Sequence, residues 1–384
     1  MMLTVVIFVT ILSVSFYSAK YIAISPDRLD PYSNVKRRGA NILAGGVFPI
    51  VMTALLVGLR YDVGVDWGNY MREFQGMNAN DGLAAGLESS RMEWLYVMLM
   101  YFLKALGLPY YSIFICSSLI CLTLYYASFS DKKWLLSWGV FALYTLDTFY
   151  LFLNIMRQCI AFFIILYGIK FIIHRKPLRY IICIIIAAGF HKTSYILLPF
   201  YLFSYIRKPI LTGALAVGAY VFTWLGGMSL FNTLLNLVTP ALEGEYSSYA
   251  QAINVLEMEK GSGLGMLALH MIDILLIVYA AKCHNLYSKR WGYDIFYNLF
   301  FCGVLIQNVA GMNMLLARLP LCLTSMRLIV TAFTLYLSFH SSSYKIDRIF
   351  KQSNQLYRAG GIAIIILALA YFAGNCMAFD YKFI

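Results

Sequence analysis

The sequence predicts an all-α, polytopic transmembrane helical bundle, and three observations carry that prediction. Apolar residues make up 61% of the 384-residue chain and charged residues only 12%, about half the ~25% of an ordinary soluble domain. Apolar stretches of about 18 or more residues, the length a helix needs to cross the hydrocarbon core, recur along the whole chain. They are apolar at odd and even positions alike, which excludes a transmembrane barrel with its alternating strands. An aromatic content of 16% excludes disorder.

Taken in order, the apolar segments run at 2–22, 40–59, 93–107, 109–128, 134–150, 155–173, 178–190, 192–206, 209–231, 264–282, 293–310, 315–339 and 357–378. The first follows no basic run, so it is expected to be retained, with Ser18-Ala19 the one cleavage-like pair. Basic clusters then assign the sides. Lys36-Arg37-Arg38, Lys132-Lys133, Arg175-Lys176, Arg207-Lys208, Lys289-Arg290 and the stretch Lys345 to Arg358 fall in connections that share one face. The opposite connections hold most of the acids, among them Asp62, Asp66, Glu73, Glu88, Glu243, Glu245, Glu257 and Glu259. The positive-inside rule makes the basic face cytoplasmic. It also accounts for the net charge of +12. No basic run interleaved with aromatics in a soluble segment supports nucleic acid as a partner.

Parity constrains two segments. With 60–92 outside and Asp131-Lys132-Lys133 inside, one crossing fits between them, namely 109–128. The 93–107 segment is therefore expected to be a re-entrant or interfacial helix. Likewise 178–206 begins and ends beside basic clusters, so it is expected to go in and return as a broken hairpin with His191 at its apex. The total is about twelve passes, counting the hairpin as two. Periplasmic loops are expected at 60–92 and 232–263, within a single integral membrane domain spanning 1–384. All eight cysteines lie in or beside apolar runs without C-x-x-C spacing, so they read as buried thiols, with neither zinc nor a disulfide framework.

Three polar constellations interrupt this apolar background. In Arg60-Tyr61-Asp62-Val63-Gly64-Val65-Asp66-Trp67-Gly68-Asn69-Tyr70, a helix from Asp62 would place Asp62, Asp66 and Tyr70 on one face. That face offers carboxylates to hydroxyls and aromatic rings, with Trp67, to a sugar plane; the plain alternative is surface ion pairs and a headgroup belt. In Asn154-Ile155-Met156-Arg157-Gln158, Asn154 is expected to cap the following helix. The helix dipole and the Arg157 fork then suit a diphosphate, against the alternative that Arg157 snorkels. In Phe190-His191-Lys192-Thr193-Ser194, an ionisable pair sits at a helix break, where His191 suits a general base or a phosphate contact. Glu93 opens the 93–107 segment, where it also suits the dipole. Arg318 is a candidate second phosphate ligand. His270, Asp273 and Arg327 read as structural, with Asp273 and Arg327 forming a bridge. G-x-S-x-G, H-E-x-x-H and Walker A motifs are absent from the sequence.

The order Arg60…Gly64-x-Asp66-x-x-x-Tyr70…Phe74, Glu93, Asn154-x-x-Arg157-Gln158-x-x-Ala161 and Phe190-His191-Lys192-x-Ser194 resembles the EpsG family, Wzy-like polymerases of bacterial exopolysaccharide and O-antigen. The motifs cover about 40–210; beyond them the likeness is mainly one of hydropathy, with Arg318 a loose match and Phe379-Asp380-Tyr381-Lys382-Phe383 a weak one. The resemblance implies a polymerase joining undecaprenyl-diphosphate-linked oligosaccharide units at the periplasmic face of the inner membrane. It implies substrate contacts from Arg60, Asp62, Trp67, Tyr70, Glu93, Asn154, Gln158, Lys192, Ser194 and Arg318, around a catalytic His191, Asp66 and Arg157. Membrane lipid, a flippase and a chain-length regulator are the implied partners. No metal or other cofactor is expected. The competing readings are a lipid-linked-sugar glycosyltransferase or O-antigen ligase, and a flippase. A flippase would show internal repeats, which the sequence lacks.

Overall fold

A computed structural model describes residues 2–22, 42–64, 66–238, 263–311, 316–340 and 351–378. Among them every regular element is a helix. In chain order these are α1 (Met2–Ile22), α2 (Ile42–Gly58), α3 (Trp67–Gly76), α4 (Gly82–Ser89), α5 (Trp94–Ala105), α6 (Tyr111–Ala127), α7 (Leu136–Thr145), α8 (Asp147–Asn154), α9 (Met156–Ile173) and α10 (Pro177–Phe190). A 3₁₀ helix follows at Lys192–Tyr205. Then come α11 (Gly213–Val238), α12 (Leu264–Trp291), α13 (Tyr293–Ala310), α14 (Leu321–Thr324), α15 (Arg327–His340) and α16 (Lys351–Ala378).

Six of the described helical stretches are long and apolar enough to cross a membrane: Leu3–Ile22, Met156–Ile173, Gly213–Leu234, Leu264–Trp291, Leu321–His340 and Gln355–Cys376. A seventh is the pair Lys133–Thr145 and Asp147–Asn154, bent by 58° where Leu146 is extended. The protein is thus a multi-pass membrane protein. Helix length alone does not reach the expected twelve passes, because α6 has 17 residues and α10 has 14. At 1.5 Å per residue these reach only ~26 and ~21 Å of a hydrocarbon core about 30 Å thick. The 239–262 part of the second expected loop, the clusters at Lys36–Arg38 and Lys345–Arg348, Met312-Asn313 and the terminal Phe379–Phe383 lie outside the described residues.

The chain divides into two compact units, Met1–Tyr201 with Ala368–Ile384, and Leu202–Leu367. In the first unit α1 lies against α2 and α7, α2 against α6, α6 against α9, and α9 against α10, which also meets α5. Lipid offers no hydrophobic drive for such pairing, so packing and interhelical hydrogen bonds hold it together. One such node is the buried Tyr144 hydroxyl on α7, 3.1 Å from Thr53 Oγ1 of α2 and accepting from Ser15 Oγ of α1 at 3.4 Å.

The hairpin expected across 178–206 forms, but its two legs differ. Pro177 starts α10, where a missing N–H costs nothing. The return leg is 3₁₀ helix, and Tyr180 ties the legs together by donating to Leu197 O at 2.8 Å and packing on Tyr201. The 93–107 segment is the 12-residue α5, too short to span.

In the second unit α11 packs on α12 and α13, α13 on α14 and α15, and α12 on α15. Its buried polar centre contains the expected bridge: Arg327 grips Asp273 bidentately, Nε–Oδ1 2.6 Å and Nη2–Oδ2 2.9 Å. Tyr220 donates to Asp273 Oδ2 at 3.1 Å and meets His270 Nδ1 at 2.6 Å, while Trp224 stacks on the imidazole. Charge inside an apolar bundle is tolerable when paired and hydrogen-bonded in this way.

Candidate functional site

The site belongs to the first unit and is built around Glu93. This residue precedes α5, and its carbonyl accepts from Tyr96 N and Val97 N, so its backbone starts that helix. The carboxylate does not cap its own helix. Oε2 instead takes the Arg157 Nη1 hydrogen bond from the first turn of α9. Oε1 faces the break between α10 and the 3₁₀ leg, 3.2 Å from His191 Nδ1 and 3.3 Å from the Lys192 backbone N–H, which donates to it. Three segments far apart in sequence thus converge on one carboxylate.

Gly189 makes that convergence possible. A Cβ there would lie 2.5 Å from Leu95 Cδ1 and 3.0 Å from Trp94 Cε2, so only glycine lets the end of α10 approach the start of α5 so closely. The helix then stops at His191, which is extended at φ −157° and ψ 113°, and Ser194 N donates back to His191 O at 3.1 Å.

The cluster is buried but reachable, with side-chain exposures of 25% for Arg157, 15% for His191 and 9% for Glu93. Burial alone would raise the Glu93 carboxyl. The His191 hydrogen-bonding contact and the Arg157 charge outweigh it and bring the group down to about 2. Glu93 is therefore ionised at neutral pH. The ring of Tyr70 on α3 lies 6.0 Å from the Arg157 guanidinium carbon, and burial pushes its hydroxyl up, so it stays a neutral phenol. Arg157 Nε and Ser194 Oγ are buried without a hydrogen-bond partner among the described residues. His191 Nε2 is in the same condition, while Nδ1 stands 3.2 Å from Glu93 Oε1.

Other expected site residues stand elsewhere. Arg60 is fully buried: Nη1 donates to Val57 O at 2.7 Å, Nη2 to Leu153 O at 3.1 Å and Nε to Val63 O at 3.1 Å. It joins the C-terminal ends of α2 and α8, whose last carbonyls lack intrahelical donors and carry the negative ends of the dipoles. The expected helical face from Asp62 does not form, because α3 begins only at Trp67 and Asp62 has a positive φ of 52°. Asp62 is exposed. Trp67 is buried: it stacks on Phe114 with rings 5° from parallel and donates Nε1–H to Arg60 O. Asp66 sits before α3, its carbonyl accepting from Asn69 N and Tyr70 N, and its charge is felt at Tyr70.

Asn154 does not cap α9. It ends α8, with Nδ2 donating back to Tyr150 O at 3.3 Å, and its Oδ1 and Leu153 O crowd Gly64. Gln158 is buried on α9, whereas the Lys192 side chain is exposed. Arg318 closes a short 3₁₀ turn, Leu316–Arg318, in the second unit. The central role of Glu93 is what the sequence conceals. The signals that could have found it are the acid opening an otherwise apolar segment and the glycine two residues before His191.

The model of one family, described as the EpsG family, matches residues 45–373, which include the whole cluster. No curated protein and no solved structure matches the chain.

Proposed function

This chain belongs to the EpsG family of polysaccharide-polymerase-type membrane proteins, and from that premise we propose that it joins undecaprenyl-diphosphate-linked oligosaccharide repeat units at the periplasmic face of the inner membrane. The observation that carries the reading is the set of buried, unsatisfied polar groups of this site: Arg157 Nε, His191 Nε2 and Ser194 Oγ. A buried donor without a partner costs about 1–3 kcal/mol, so such a set marks where a polar ligand supplies acceptors. A diphosphate matches it, because its oxygens outnumber those of one carboxylate and fit a guanidinium fork.

In the proposed reaction an acceptor hydroxyl oxygen attacks the anomeric carbon of the lipid-linked sugar. The bond from that carbon to the diphosphate oxygen breaks, and undecaprenyl diphosphate leaves with the electron pair, held by Arg157. His191 takes the hydroxyl proton. Tyr70 stays neutral and braces Arg157, while Asp66 and the exposed Asp62 stand on the loop that meets the sugars. The transfer is inverting in this reading, and Arg157 and His191 carry the charge without a metal. On the outer leaflet nucleotide sugars are out of reach, so the donor must be lipid-linked.

The test is gel analysis of lipid-linked glycans in a strain lacking this chain. The expected result is loss of polymer with single lipid-linked repeat units piling up. Polymer that persists but is not passed to its final acceptor would indicate a ligase, and units confined to the cytoplasmic leaflet a flippase.

A further inference from the structure

We infer that Glu93 is the positioning residue of this site: it seats His191 from the Nδ1 side, leaves Nε2 to take the proton, and ties the ring to the Arg157 guanidinium. The inference rests on the polymerase reading only for the name of the reaction. Its own basis is geometric. Both carboxylate oxygens are occupied, Oε2 by Arg157 Nη1 and Oε1 by the His191 and Lys192 contacts. A carboxylate committed on both sides is poorly placed to receive a hydroxyl proton, and one held near 2 is too weak a base to do so at neutral pH. It is well placed for another task. A carboxylate on Nδ1 selects the Nδ1–H tautomer, aims Nε2 away from itself and stabilises the imidazolium formed when Nε2 accepts a proton.

The charged and titratable groups around His191 leave Glu93 as its nearest anion. Arg157 shares the Glu93 carboxylate with the ring, and Lys192 is the next residue, with its side chain exposed. Tyr70 stands beside Arg157 and feels the charge of Asp66. The α5 residues that crowd the end of α10, Trp94 and Leu95, are apolar.

The test reads His191 directly and needs no substrate. Diethyl pyrocarbonate acylates neutral imidazole, so its rate at each histidine of the intact, membrane-inserted protein, followed by peptide mass spectrometry against pH, gives that ring's titration midpoint. In Glu93→Gln the pH profile of His191 acylation is expected to move to lower pH, because the carboxylate beside Nδ1 is gone. His174 and His284 serve as internal references and are expected to stay put. Glu93→Asp keeps the charge one methylene further back, so its midpoint should lie between the two; it also keeps the test open if Glu93→Gln does not insert. In cells, Glu93→Gln is expected to cut polymer per inserted protein by about tenfold or more, but to cost little further when added to His191→Gln. A His191 midpoint unmoved in both variants, or an equal further loss in the His191→Gln background, would overturn the inference. A shifted midpoint in a chain whose absence strands no single repeat units would keep Glu93 in its positioning role and overturn the polymerase reading alone.

Discussion

Arg157 and Arg327 are each held by a carboxylate, yet the two pairs are built for different work. Arg327 is almost wholly buried and grips Asp273 with two nitrogens, while Tyr220 holds the same carboxylate. Arg157 offers Glu93 only Nη1, keeps a quarter of its side chain exposed and leaves Nε unpartnered. Arg157→Lys retains the charge but loses the fork, so polymer per inserted protein is expected to fall about a hundredfold while insertion is normal. Arg327→Lys is expected to reverse the pattern, lowering the thermal midpoint through a loss of about 1–3 kcal/mol with far less effect on polymer per inserted protein. Near-normal polymer in Arg157→Lys would mean that the guanidinium merely reaches for the interface. The Glu93 pair also predicts a pH window. Its folded-state value of about 2 lies below its ordinary 4.5, so its contribution is complete above about 4.5 and is lost as pH falls through about 2. The difference in thermal midpoint between the wild type and Glu93→Gln should therefore shrink as pH falls below about 4.5 toward 2. A difference that holds undiminished at pH 2.5 would show that the charge of Glu93 is not what stabilises.

Single elements show what hydropathy can and cannot reveal. α1 and α13 match the sequence segments at both ends, and α13 is bounded by Gly292 and Gly311. The hairpin at 178–206 was legible from charge parity, but its 3₁₀ leg was not. At about 2.0 Å per residue the 14-residue leg reaches ~28 Å, close to a full crossing, where the same residues as α-helix would reach ~21 Å. Run length cannot reveal that choice of helix type. The arrangement of the loop after α2 is hidden from the sequence for a different reason: Arg60 in it is held by a contact some 90 residues away. Arg60 donates to Leu153 O, and Gly64, at φ +99°, lies so close to the end of α8 that a Cβ would sit 2.4 Å from Leu153 O. Gly64→Ala is therefore expected to release this loop, since the obstacle is backbone and the dihedral is strained for any other residue. Trypsin cleavage at the exposed Arg72 and Arg91 should then accelerate about tenfold or more. Gly76→Ala, at an open position, should leave the rate within a factor of two. Unchanged cleavage in Gly64→Ala would mean that this contact does not hold the loop.

For the molecule as a whole, the question is on which side of the membrane the cluster faces. Fold class was legible because the solvent dictates it: in lipid every backbone polar group must be paired, and apolar runs without strand alternation pair theirs as helices. Sidedness follows from charge in the sequence, and the first unit turns it into a statement about the site. From Arg157 the chain descends α9 to Ile173, turns through Arg175 and Lys176, and climbs α10 back to His191. At 1.5 Å per residue α9 and α10 reach about 27 and 21 Å, so Lys176 stands at the end away from the cluster. On the proposed topology, with the basic connections cytoplasmic, Lys176 faces the cytoplasm and the cluster, with the 60–92 loop that carries Tyr70, faces the periplasm. Gly76 and Lys176 are both exposed, and none of the eight native cysteines is. Single cysteines introduced at these two positions are thus expected to react oppositely in intact cells, Gly76→Cys with a membrane-impermeant maleimide and Lys176→Cys only after the inner membrane is opened. Labelling of Lys176→Cys from outside, with Gly76→Cys protected, would put the cluster on the cytoplasmic side. Nucleotide sugars would then be within its reach, and the argument for a lipid-linked donor would lose its footing.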